Sequence, residues 1–168
     1  LEVEDGSVSK LTVRETGTGQ IREIPCDYVV STMPVRDLIA AIEGEVPDKV
    51  MEVSGGLLYR DFITVGILLE KMLLKNSTSY PTMNNIVPDN WIYIQEQDVK
   101  VGRLQIFNNW SPYLVKDRGR VWIALEYFCN EGDNLWNMDG ELLKDFAVKE
   151  LCALGIISEG DVIDGMVE

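Results

Sequence analysis

Apolar and polar positions alternate over short stretches at the start of the chain, and turn dipeptides separate them. Leu1-Glu2-Val3-Glu4 runs into Asp5-Gly6, after which Val8, Leu11 and Val13 alternate with polar residues. Gly17-Thr18-Gly19 marks a second turn, and a third strand is expected over residues 21–25. Cys26-Asp27-Tyr28-Val29-Val30 follows, a short β-branched run that predicts a strand buried on both faces. Ser31-Thr32-Met33-Pro34 then predicts a helix start, with a hydroxyl cap and a proline where a missing N–H costs little. Val35, Leu38, Ile39 and Ile42 recur at helical spacing, and Gly44 closes the segment.

The remainder changes period several times. Residues 57–69, with Ile63, Val65 and Ile67, read as a long strand; residues 77–88 are a polar loop with two prolines. Strands are expected at 91–94, 103–108 and 121–129. Asp139 caps a last helix whose buried stripe is read as Leu142, Leu143, Phe146, Leu151 and Leu154, with Gly155 as its stop. Residues 162–167 form a final strand or turn. Meanders mixed with isolated helices predict an α+β fold, with an antiparallel or mixed sheet and flanking helices.

Composition narrows the chemistry. The chain has 168 residues, 46% hydrophobic and 26% charged, which suits one folded domain, or one domain plus a small appendage. Its net charge of −13 argues against nucleic acid and anionic membrane as partners, because phosphates are held by clustered Lys and Arg. There is no histidine, so the commonest general base and zinc ligand are missing, and no metal site is expected. Cys26, Cys129 and Cys152 are far apart and odd in number, which predicts reduced thiols in a cytoplasmic protein. No apolar run is long enough for a transmembrane segment. Leu1 opens partway into a strand and Glu168 stops as another begins, so both ends are read as cut.

No phosphate-binding motif stands out. Gly17-Thr18-Gly19 is followed by Arg22 where a dinucleotide fingerprint needs a third glycine, and it lies between strands rather than before a helix. The informative segment is Asp27-Tyr28-Val29-Val30-Ser31-Thr32-Met33-Pro34. From the residues alone it is a strand meeting a capped helix, either a ligand-bearing edge or an ordinary junction.

A β-meander with an Asp-Gly turn followed by this segment resembles the flavin-containing amine oxidase superfamily, which includes protoporphyrinogen oxidases, phytoene desaturases and, more distantly, UDP-galactopyranose mutases. Tyr59-Arg60-Asp61-Phe62-Ile63-Thr64-Val65, Trp91-Ile92-Tyr93-Ile94 and Val121-Trp122-Ile123-Ala124-Leu125-Glu126-Tyr127 resemble its substrate-binding domain, so the likeness covers essentially the whole chain. The resemblance implies that residues 1–34 are the tail of a FAD-binding domain and residues 35–168 a substrate-binding domain. It implies FAD as the cofactor of a longer parent, not retained by this piece, with Ser31, Thr32, Met33 and Pro34 near its adenosine side. The glycine fingerprint and the flavin-contacting motif of the family have no match here. Thr64 stands where amine oxidases keep a lysine beside the flavin, and the nearest lysine is Lys71, which argues against amine oxidation.

The residues assigned to a small organic substrate are Arg60, Thr64, Tyr93, Asn108 and Trp110; no catalytic residue is assigned. Arg60-Asp61 is read either as an anchor or, preferably, as a salt-bridged strand start. Asn108-Asn109-Trp110-Ser111-Pro112 is read either as a ligand loop or as a structural turn. Glu126 is read either as a lone buried carboxylate with a raised pKa or as an outward-facing residue. The expected protein is therefore an inactive piece of a FAD-dependent oxidoreductase, with the rest of its FAD-binding domain as partner and a sheet edge near residues 1–34 open to self-association. The alternative is a stand-alone acidic binding module without cofactor.

Overall fold

Antiparallel pairing accounts for every strand of the protein, and the helices are few, which makes the fold α+β. The structure, a computed structural model, describes residues 1–168 and falls into two units, Leu1–Tyr59 and Arg60–Glu168.

The first unit opens with the three-stranded meander β1 (Glu2–Glu4), β2 (Ser7–Arg14) and β3 (Ile21–Pro25), in that spatial order. Asp5 and Gly6 both adopt positive φ, 50° and 77°, as a tight hairpin turn requires, and Glu4 pairs with Ser7 across it. Residues 26–30 do not form the expected doubly buried strand. Tyr28 and Val30 are 91% and 94% exposed. Such a strand needs neighbours on both edges and a layer on each face, and this unit supplies neither.

Two short helices follow, α1 (Val35–Ala40) and α2 (Asp48–Gly55). The hydroxyl cap expected for α1 is not made: Pro34 is the N-cap residue, and the Ser31 hydroxyl accepts instead from the Met33 N–H at 3.2 Å. That local turn bond competes with capping, as serine often does. The pattern did not predict α2, whose start is the proline-acid pair Pro47-Asp48. The whole unit buries one residue, Ser54.

The second unit is built on five strands in the order β5-β6-β7-β4-β8: β4 (Asp61–Leu69), β5 (Trp91–Tyr93), β6 (Arg103–Ile106), β7 (Val121–Cys129) and β8 (Val162–Val167). The strand expected over 103–108 ends at Ile106, and Phe107–Trp110 turn into the single-turn helix α3. Alternation sends Val65, Ile67, Leu69, Leu104, Ile106, Ile123, Leu125 and Tyr127 to one face, all fully buried. Leu143, Ala147 and Leu151 of α4 (Gly140–Ala153) join the same core. Each such side chain contributes roughly 1.5–3 kcal/mol by leaving water.

The Asp139 carboxylate caps α4, accepting from Glu141 N–H at 2.9 Å and Leu142 N–H at 3.4 Å, and Gly155 ends the helix at φ 69°. Of the expected stripe, Leu143 and Leu151 are buried and Phe146 and Leu154 pack against the core. Leu142 is 62% exposed, whereas Ala147 and Glu150 are buried. The apolar period alone could not see that the core accepts a carboxylate. Glu150 is stabilised there by three donors: Lys100 N–H at 2.5 Å, Val101 N–H at 3.1 Å and the Tyr127 hydroxyl at 3.0 Å. No helix is long and apolar enough to cross a membrane.

Candidate functional site

The opposite face of the five-stranded sheet carries a different set of side chains. Strand register aligns Thr64 on β4, Glu126 on β7, Arg103 on β6 and Tyr93 on β5 in one row across the sheet. The next row is Gly66, Ala124, Gln105 and Trp91, and Phe62 pairs with Phe128 on the other side. Directly opposed residues share a face, so these rows form one continuous surface. Phe62, Trp91 and Tyr93 on it are exposed.

Its centre is charged and its flanks are aromatic. Glu126 is only 3% exposed; it pairs with the Arg103 guanidinium and accepts from the Gln105 side-chain amide. It is thus buried but not lone, and it lies on the sheet face turned away from the core. A carboxylate in this position is tolerable because its cation and a second donor stand beside it. The Arg103 guanidinium lies 4.8 Å from the ring centre of Trp91 and 4.8 Å from that of Phe128, one ring to each side along the sheet. Trp91 in turn stacks on Tyr93 at 6.2 Å and meets Trp110 edge-on at 6.1 Å. Arg60 extends the series beyond Phe128, at 5.6 Å from the same ring.

Two glycines make room for these rings. A Cβ on Gly102 would sit 2.7 Å from the Phe128 ring, and one on Gly66 would sit 3.1 Å from the Trp122 indole. Underneath, on the core face, burial and the neighbouring Glu150 carboxylate push the Tyr127 phenol well above its ordinary pKa, so it stays a hydrogen-bond donor at every physiological pH.

The residues singled out from sequence separate into three groups. Thr64, Tyr93 and Trp110 belong to the open face or border it. Arg60 lies at its end and lines a cavity with Phe128, and it forms no ion pair. The salt-bridged strand start is therefore not what Arg60-Asp61 makes; the Asp61 carboxylate accepts from Glu131 N–H at 3.3 Å instead. Asn108 is structural. It is 4% exposed, its amide donates to the Arg120 carbonyl at 2.8 Å, and its oxygen accepts from Trp122 N–H at 2.9 Å, which ties α3 to the start of β7. Those bonds leave it little capacity for a ligand. In the first unit, Ser31, Thr32 and Met33 line a cavity of about 350 Å³ together with Leu11, Val13 and Val29, while Pro34 caps α1. Arg103 and Gln105 were not anticipated. Their charge and polarity were visible at alternate positions of a strand, but which carboxylate they would oppose depends on register.

Neither a protein-family profile nor a curated protein matches the sequence. Among solved structures the chain is similar to the crystal structure of reduced UDP-galactopyranose mutase, with a TM-score of 0.54 and 16% identity over 94% of this chain and 31% of that one. A second similar structure is a putative protoporphyrinogen oxidase from Exiguobacterium sp. 255-15, at a TM-score of 0.46 and 11% identity over 96% of this chain and 33% of that one. Identity this low makes the first of these a likeness of fold. The chain spans about a third of the length of these proteins, 31% and 33%. UDP-galactopyranose mutase is among the proteins that the sequence resemblance names.

Proposed function

We propose that this chain forms the substrate-binding portion of a longer FAD-dependent oxidoreductase, with the open face of the five-stranded sheet as the wall of the substrate pocket. The observation that carries the reading is a sheet packed on one face only, whose other face presents aromatic rings around the buried Arg103–Glu126 pair. Soluble domains seldom leave such a face uncovered without using it. The fold likeness to UDP-galactopyranose mutase supports it. On this reading residues 1–34 complete the FAD-binding domain, residues 35–168 form the substrate-binding domain, and the protein works in the cytoplasm.

The residues present suit an edge of the cofactor site rather than its centre. The cavity beside Ser31, Thr32 and Met33 offers apolar walls and hydroxyls, but no glycine-rich turn at a helix N-terminus to hold a pyrophosphate. A flavin bound beside this chain would supply hydride-accepting chemistry. The chain's own contribution is shape and exclusion. Tyr93, Trp91 and Trp110 give a rigid apolar wall that keeps water from the reacting region, and Thr64 offers one hydroxyl at the end of the polar row. Arg103 and Glu126 pair with one another between the rings, so on this reading they position the rings rather than contact substrate.

The test is to purify the complete protein in which this sequence occurs, without added flavin. About one flavin per chain is expected, retained when Tyr93 is changed to Ala, whereas substrate-driven flavin reduction is lost in that variant. A complete protein that binds no flavin overturns the reading.

A further inference from the structure

At the end of the open face, one cavity of the second unit has the makings of a ligand site in its own right. Its volume is about 490 Å³, within the range of small-molecule sites, and it is lined by Arg60, Val99, Lys100, Phe128, Asp133 and Leu135 among others. We propose that this cavity binds a small organic monoanion, a carboxylate carried on an apolar, preferably aromatic, body. The site is argued from residues 60–168 alone and stands whether or not the protein carries flavin.

Three observations support the charge. Neither Arg60 nor Lys100 forms an ion pair, whereas Arg36, Arg103 and Arg120 each hold a carboxylate. The base of the Lys100 side chain is fixed, since its backbone N–H is held by the buried Glu150 carboxylate at 2.5 Å. Arg60 is oriented by the Phe128 ring, 5.6 Å from its guanidinium, which leaves the guanidinium edge free to donate in parallel to two oxygens of one carboxylate.

The third lining charge sets the valence of the ligand. The Asp133 carboxylate is turned into its own loop, where it accepts from Asn130 N–H at 2.8 Å and Trp136 N–H at 2.9 Å. Those bonds keep it ionised, so two cations and one carboxylate leave a net charge of +1 on the lining. One negative charge balances such a lining, whereas a phosphate dianion would bring a second, unmatched charge up to the Asp133 carboxylate. Of the remaining walls, Val99, Phe128 and Leu135 are apolar and suit an aromatic body, and Asn134 adds a neutral amide.

The probe is 2-naphthoate, titrated into the 168-residue chain and followed by backbone amide chemical shifts. Saturable shifts are expected at Val99, Lys100, Phe128 and Leu135. Arg60→Gln should weaken binding about tenfold and Lys100→Gln about threefold, the scale of one charge-assisted contact each. Arg60 is exposed, so its loss leaves the fold intact, which the unshifted core amides of the variant verify. Neutral 2-naphthalenemethanol and inorganic phosphate should produce no saturable shifts there. Absence of saturable shifts with 2-naphthoate overturns the proposal, as does equal binding of the neutral alcohol or unchanged affinity in both variants. Because the titration uses no flavin, its failure is separate from a failure of the flavoprotein reading.

Discussion

The first 59 residues and the remaining 109 are made of similar residues but are held together differently. Val65, Ile67, Leu104, Ile123, Leu125, Leu143 and Leu151 are buried in the second unit, and no apolar side chain is fully buried in the first. Ile21, Ile24, Tyr28, Val30, Met33 and Val35 of the first unit are exposed. Three strands and two short helices satisfy their backbone bonds, but they close no core of their own. The contrast teaches that secondary structure follows from local pattern, whereas burial requires a second layer. In the proposed flavoprotein, the rest of the FAD-binding domain would supply that layer to the first unit.

The largest expected effect breaks the contrast directly. Leu125→Ala or Leu143→Ala should cost about 2–5 kcal/mol, because each leaves a cavity in a packed core. Val13→Ala should cost less than about 1 kcal/mol, since the site is only partly buried. Urea unfolding followed by tryptophan fluorescence reads the second unit alone, as Trp91, Trp110, Trp122 and Trp136 all lie in it; circular dichroism reads both.

Next comes the polar core. Glu150→Ala leaves the N–H groups of Lys100 and Val101 and the Tyr127 hydroxyl without their acceptor and should cost about 3 kcal/mol. Tyr127→Phe removes one donor and leaves Glu150 two others, so about 1 kcal/mol is expected from the same urea midpoints. Equal costs for the two would show that the carboxylate is not the hub.

On the open face, Gly102→Ala drives a methyl against the Phe128 ring and should cost roughly 1–3 kcal/mol. Near-ultraviolet circular dichroism should change with it, because Phe128 and Arg103 pack together. A neutral outcome in both would mean that the rings of this face are not fixed against one another.

The smallest effect is a pH dependence. The N–H groups of Trp136 and Asn130 hold the Asp133 carboxyl below its ordinary pKa of 3.8. A depressed native pKa stabilises the fold above the unfolded value and is lost as pH falls through the native one. The stability difference between the protein and Asp133→Asn should therefore be constant near neutrality and shrink below about pH 4. Urea midpoints measured at neutral pH and in acid check this; a difference that grows in acid would contradict it.

Much of the second unit was legible in the sequence because its strands carry their own evidence. The β-branched and aromatic run of β7 predicts residues 121–129, as observed, and the Asp139 cap and Gly155 stop bracket α4. What sequence could not give was anything set by partners across space. The run at 26–30 has strand chemistry without strand neighbours, and Asn108 passes for a ligand group until its amide is seen bridging α3 to β7. The row Thr64, Glu126, Arg103 and Tyr93 is spread over 63 positions of sequence, from Thr64 to Glu126, and exists only through register. Of its members, Thr64 and Tyr93 were singled out on resemblance, Glu126 was noticed without a partner, and Arg103 was missed.

On the proposed function, the open face is an internal wall in the complete protein. Carbene footprinting of Trp91, Tyr93 and Trp110, in this chain alone and in the complete flavin-loaded protein, tests it most directly. The three side chains are exposed here and should label strongly in the isolated chain. In the complete protein they should be protected while Tyr113, exposed outside the face, still labels. Equal labelling of Trp91, Tyr93 and Trp110 in both would contradict the account.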